Sequence, residues 1–139
     1  MKKIIHIISL LLLIVFLSCE NPVDTSVNLN EEFSLKVGGS AVIKGENLRI
    51  KFIAVTEDSR CPINVECFWA GNAKVAITIQ KDENLPLNDS LNTYLKPREI
   101  EYLDYQIFIK NLEPNRDVNQ TIPQSEYVAT FLIKNNDNK

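Results

Sequence analysis

The chain has 139 residues, is 45% hydrophobic and carries a formal net charge of −3. That length supplies one domain and leaves no room for a second core, while the apolar content is enough to build the first. An acidic balance argues against nucleic acid as a partner.

The first twenty residues read MKKIIHIISLLLLIVFLSCE. Lys2 and Lys3 precede an apolar run from Ile4 to Leu17 that only His6 and Ser9 interrupt. A bilayer takes about 20 apolar residues, so the run falls short of a comfortable span. A basic start, a short apolar run and a small residue at the junction have the anatomy of a secretory signal peptide over 1–18. The junction Phe16-Leu17-Ser18-Cys19 resembles the lipobox of bacterial lipoproteins, in the looser form of the Bacteroidetes type, with Phe16 where Leu is usual. The resemblance implies cleavage before Cys19, lipid on Cys19 and an envelope location, the outer membrane first.

Processing there removes two lysines and no acid, moving the formal charge from −3 to −5, and it removes the chain's one histidine. Cys61 and Cys67 are then the two remaining cysteines, and export to an oxidising compartment predicts that they pair.

Residues 19–32, including Glu20-Asn21-Pro22, are polar and weakly periodic and read as a flexible tether, with a weakly paired strand possible near Val27. From Phe33 the pattern has period two. Phe33, Leu35 and Val37 alternate up to Gly38-Gly39, and a short strand follows over Ala41–Lys44. Leu48, Ile50, Phe52 and Ala54 alternate next, although Ile53 and Val55 break the polar face. Ala73, Val75, Ile77 and Ile79 give the clearest run. Residues 81–90 read as a polar loop, and 91–95 as a possible short strand. Leu103, Tyr105, Ile107 and Ile109 share a face in one segment over 99–112, and Tyr127, Ala129, Phe131 and Ile133 close the pattern. Residues 136–139 read as a frayed tail. The expected fold is an all-β antiparallel sandwich, Ig-like or barrel-like, of six to eight strands over 33–135 with one disulfide. Apolar residues on both faces of 48–56 and 127–134 point to central strands or to contact with loops.

The densest stretch is DSRCPINVECFWAGNAKV, from Asp58 to Val75. A disulfide closing Pro-Ile-Asn-Val-Glu stabilises by roughly 2–3 kcal/mol through chain entropy, and Pro62 restricts the loop further. Two readings stand side by side. In the first the stretch is a staple: Trp69 plugs the end of the fold, Gly71 makes a bulge or left-handed turn, and Asp58 and Arg60 pair or cap loop backbone, with Arg60 stacking on Trp69. In the second, Arg60, Ile63, Asn64, Val65 and Glu66 form a rigid loop presented to a partner. The block Asp-Ser-Arg-Cys-Pro, Cys after five residues, then Trp-Ala-Gly-Asn-Ala is similar to one in an uncharacterised family of small bacterial lipoproteins and secreted proteins. That resemblance implies a β-domain with the block between two strands and brings no activity.

A mature chain without histidine excludes Ser-His-Asp and Cys-His sites and His-built zinc sites. Acid pairs such as Asp82/Glu83 and Glu99/Glu101 sit in polar or strand-edge settings and read as solvated. No EF-hand, P-loop or dinucleotide glycine pattern occurs. The expectation is a non-enzyme with neither metal nor cofactor. Its expected partner is the membrane, through lipid on Cys19, with an envelope protein as a candidate second partner. A protease inhibitor using loop 61–67 is the alternative. Tyr94, Tyr102, Tyr105 and Tyr127 read as half-buried sheet residues rather than an aromatic binding face. Asp89-Ser90-Leu91 resembles the short O-glycosylation pattern of exported Bacteroidetes proteins.

Overall fold

The structure is a computed structural model that describes residues 24–136. The expected signal peptide 1–18, the expected lipidation site Cys19 and the last three residues of the expected tail lie outside the described residues. Nine strands are present among them: β1 (Thr25–Val27), β2 (Glu32–Lys36), β3 (Ser40–Ile43), β4 (Leu48–Asp58), β5 (Ala73–Lys81), β6 (Leu87–Asn92), β7 (Glu99–Tyr102), β8 (Tyr105–Glu113) and β9 (Val128–Asn135). One sheet has the order β1-β3-β4-β5-β6 and the other β2-β9-β8-β7. Pairing is antiparallel throughout except between β1 and β3, which run parallel. Two separate sheets make this a sandwich rather than a closed barrel.

Alternation, broken in β8 by a register shift between Ile109 and Asn111, dictates the core. Ala73, Val75, Ile77 and Ile79 of β5 are buried, as are Tyr105, Ile107, Ile109 and Leu112 of β8 and Ala129, Phe131 and Ile133 of β9. Phe131 joins the layers, with its ring 6.0 Å from Phe52 of the opposite sheet and 6.1 Å from Phe33 beside it. Edge and tilted contacts of this kind suit the ring quadrupole. β4 and β9 are interior strands, in keeping with their two-sided apolar pattern.

The interrupted alternation in β4 has a local cause. Its register with β5 shifts between Phe52 and Ala54 and again between Val55 and Glu57. The first irregularity inverts the side-chain phase, so Val55 is buried while Ile53 is exposed. Beyond Gly39 no strand covers this edge of β4. Gln124 covers it instead, accepting from the Val55 N–H at 3.0 Å and donating to the Val55 carbonyl at 2.8 Å.

Several expectations are corrected. There are nine strands, not six to eight. Part of the expected tether is β1, held by its ladder to β3 and by Asp24, which bonds Ser40 and pairs with Arg49 at 2.8 Å. The expected loop 81–90 contains most of β6, which runs to Asn92 rather than over 91–95. Residues 99–112 form a hairpin rather than one segment, and Leu103 sits exposed in its turn with φ +52°.

Candidate functional site

One pole of the sandwich gathers the β4–β5 connection (residues 59–72) with loops 93–98 and 114–127. The hairpin continues past Asp58 and Ala73: the Ser59 N–H donates to the Asn72 carbonyl at 2.7 Å, and the Cys61 N–H to the Ala70 carbonyl at 2.9 Å. Gly71 permits this close return. Its φ is +69°, and a Cβ there would lie 1.9 Å from the Ser59 carbonyl oxygen. Asn72 then ties in the neighbouring loop, donating to Asn92 at 2.8 Å and accepting from the Tyr94 and Leu95 N–H groups at 3.0 and 3.2 Å.

Beneath the tip lies an ion pair. Arg60 Nη2 is 2.7 Å from Asp58 Oδ2, with side chains only 13% and 9% exposed. Arg60 also donates to the Leu112 carbonyl and, at 2.8 Å, to the Pro114 carbonyl. Tyr127 donates its hydroxyl to Asp58 at 3.0 Å. Burial pushes the Asp58 carboxyl up, but hydrogen bonds from Arg60, the guanidinium charge and the Tyr127 hydroxyl outweigh it and hold the group below its ordinary value. Burial and the adjoining carboxylate push the Tyr127 phenol up. Arg116 donates to the Arg60 carbonyl at 3.0 Å and accepts, through its own carbonyl, the Ile63 N–H at 3.0 Å.

Cys61 and Cys67 are bonded, as expected. Within their loop the Val65 N–H reaches the Pro62 carbonyl at 3.3 Å, so Ile63 and Asn64 occupy the centre of a turn. Ile63, Asn64, Val65 and Glu66 are exposed, as the presented-loop reading requires. Arg60 is not: it faces inward and belongs to the support. The pairing of Asp58 with Arg60 and the left-handed turn at Gly71 agree with the staple reading.

Trp69 as a plug is overturned. Its side chain is 74% exposed and its neighbour Phe68 97%, the two rings meeting edge to face at 5.8 Å. The end of the core is closed by Tyr127 and Leu112 over the Arg60 network, and Arg60 turns to carbonyls rather than to the indole. Trp69 instead flanks a shallow cleft of about 260 Å³ with Ser59, Gly71, Asn72, Tyr94 and Leu95. Phe68, Tyr94 and Leu95 were not singled out for this surface by sequence reasoning. The available signal was Phe68-Trp69 itself, two large aromatics side by side in a connection that lies outside the alternating runs. Tyr102 and Tyr105 are buried in strands and Tyr127 is buried just ahead of β9; Tyr94 is exposed.

At the opposite pole Glu46, Lys81 and Tyr105 form a second polar cluster. Lys81 Nζ lies 2.7 Å from the Tyr105 hydroxyl, which also bonds Glu46. The Tyr105 bond, aided by Glu46, holds the Lys81 ammonium above its ordinary value despite burial. Burial and Glu46 push the Tyr105 phenol up. A lysine held charged and a tyrosine held neutral supply no activated nucleophile. The cluster clasps the two sheets. Among the described residues no group of three or more His, Cys, Asp and Glu side chains is placed to hold a metal. Comparison with protein-family models, with curated proteins and with solved structures finds no match.

Proposed function

We propose that this is a lipid-anchored protein of the cell envelope whose sandwich works by binding, without catalysis, through the tip of the β4–β5 hairpin. The observation that carries the reading is the exposure of Phe68 and Trp69, 97% and 74%, on a tip that the Arg60 network and the disulfide hold in place. Large aromatics normally enter a core, and a cluster left outside on a rigid loop marks a contact surface. Preordering lowers the entropy lost on contact. A purely structural role for the stretch accounts for Arg60, Asp58 and Gly71 but leaves the two aromatics unexplained. The inhibitor alternative finds no support in the turn at Pro62–Val65, because a segment entering a protease cleft runs extended.

The test is in-cell crosslinking from a photoreactive residue at position 64, with position 101 on β7 as control. Adducts, to protein or lipid, are expected from 64 and not from 101, and they should disappear in Phe68→Ser/Trp69→Ser. Absence of any adduct from 64 sinks the reading. Labelled palmitate should enter the wild-type protein and not Cys19→Ser.

A further inference from the structure

The geometry points to the membrane interface itself as the surface that the aromatic tip contacts, on the same side of the domain as the lipid. The inference deepens the proposed function and rests on its lipid-anchored reading. Three observations converge on it.

The first is the short stretch of chain between Cys19 and β1. Five residue steps separate Cys19 from Asp24, and they reach at most about 18 Å. A lipid on Cys19 therefore keeps the sandwich against the bilayer rather than out on a stalk.

The second is direction. β1 runs parallel to β3, and β3 antiparallel to β4. Followed backwards from Thr25, the chain points the way β4 runs, towards the β4–β5 tip. Asp24 lies beside Ser40, which pairs with Lys51, about 30 Å short of Cys61 at the usual rise per residue. Asp24 is therefore nearer the start of β4 than the tip, and lipid and tip meet one bilayer when the domain lies inclined on it, which is the orientation this inference assigns.

The third is the chemistry of the two poles. Ile63, Val65, Phe68, Trp69, Tyr94 and Leu95 are all exposed at the tip pole. The other pole exposes Leu85 and Leu103 among the acidic Asp82, Glu83 and Asp104. Tryptophan and tyrosine favour the headgroup level, where an apolar ring and a polar edge are both satisfied. Directly after Tyr94-Leu95 come the exposed cations Lys96 and Arg98, placed to meet lipid phosphates. Glu66, exposed on the disulfide loop, keeps that loop shallow, so Phe68 and Trp69 enter furthest. The aromatic tip thus adds a second membrane contact to the lipid and fixes the orientation of the domain.

Trp69 is the chain's single tryptophan and reports its own depth. The mature protein, purified from membranes and intact at its N-terminus, is weighed by mass spectrometry for lipid. It is then reconstituted into phosphatidylethanolamine–phosphatidylglycerol vesicles with or without brominated acyl chains. Expected are a lipid adduct on Cys19, Trp69 emission at shorter wavelength than in lipid-free buffer, and stronger quenching by bromines near the headgroups than by deep ones. Phe68→Asp, at an exposed site, should keep the melting temperature and lose most of the quenching. A lipidated protein whose Trp69 is unaffected by brominated lipid overturns the inference and leaves the anchor standing; a protein partner crosslinked to the tip is then the occupant. A mature protein without lipid removes the anchor, and the inference falls with it.

Discussion

Replacing Arg60 by alanine separates support from surface at the tip most sharply. The substitution leaves the Asp58 carboxylate, 9% exposed, without its cation and removes the donors to the Leu112 and Pro114 carbonyls. Breaking a buried ion pair from one side costs about 3–5 kcal/mol, and the slight residual exposure of both partners places this one near 3. For a domain of this size about 4 °C of melting temperature accompanies each kcal/mol, giving a fall of roughly 12 °C. Trp69→Ala, 74% exposed, should stay within about 0.5 kcal/mol of wild type, or roughly 2 °C. Thermal melts followed by circular dichroism, with urea titrations of unchanged slope, give both numbers. The reasoning is refuted if Trp69→Ala costs more than Arg60→Ala. It is equally refuted if Asp58→Ala and Arg60→Ala simply add in the double variant, because partners of one network must couple.

Gly71→Ala should cost about 2–4 kcal/mol, more than the left-handed φ alone exacts from an L-residue, because its Cβ would meet the Ser59 carbonyl; a loss under about 1 kcal/mol in urea titration contradicts that clash. Asp58 carries a pH signature. Its carboxyl titrates below the unfolded value, so its contribution is complete above about pH 4 and is lost as pH falls through the depressed folded value. The stability of wild type should therefore fall more steeply below about pH 4 than that of Asp58→Asn, and parallel profiles would contradict the assignment. Replacing Cys61 and Cys67 together by alanine should cost about 2 kcal/mol, the chain entropy of so short a loop, and leave the fold intact. Loss of folded dispersion in circular dichroism would mean that the disulfide holds more than its own loop.

The legible parts of the sequence were those in which one local pattern decides the outcome. Ala73, Val75, Ile77 and Ile79 alternate without interruption, and β5 follows. The Cys61–Cys67 bond is the pairing expected of the two cysteines that remain once the expected processing is subtracted. β6 was hidden because Asn88, Asp89 and Ser90 are poor strand formers on an edge, where only the ladder to β5 holds them extended. β1 is three residues long and exists through its parallel partner β3. The Arg60 network joins carbonyls 52 and 54 residues away in the chain, contacts that no short-range pattern encodes. Trp69 misled for a different reason. The general tendency of tryptophan to be buried is a statement about packing, and it fails here because Trp69 sits in a hairpin connection beyond both sheets.

Accessibility of Trp69 in the folded, lipid-free protein is the most direct test that the aromatic pair is presented rather than packed. With a single indole in the chain, emission and iodide quenching report that residue alone. Expected is an emission maximum close to that of the urea-unfolded chain, with iodide reaching the indole almost as freely in the native state. Emission shifted strongly to the blue and shielded from iodide until the protein unfolds would return Trp69 to the core and remove the contact surface.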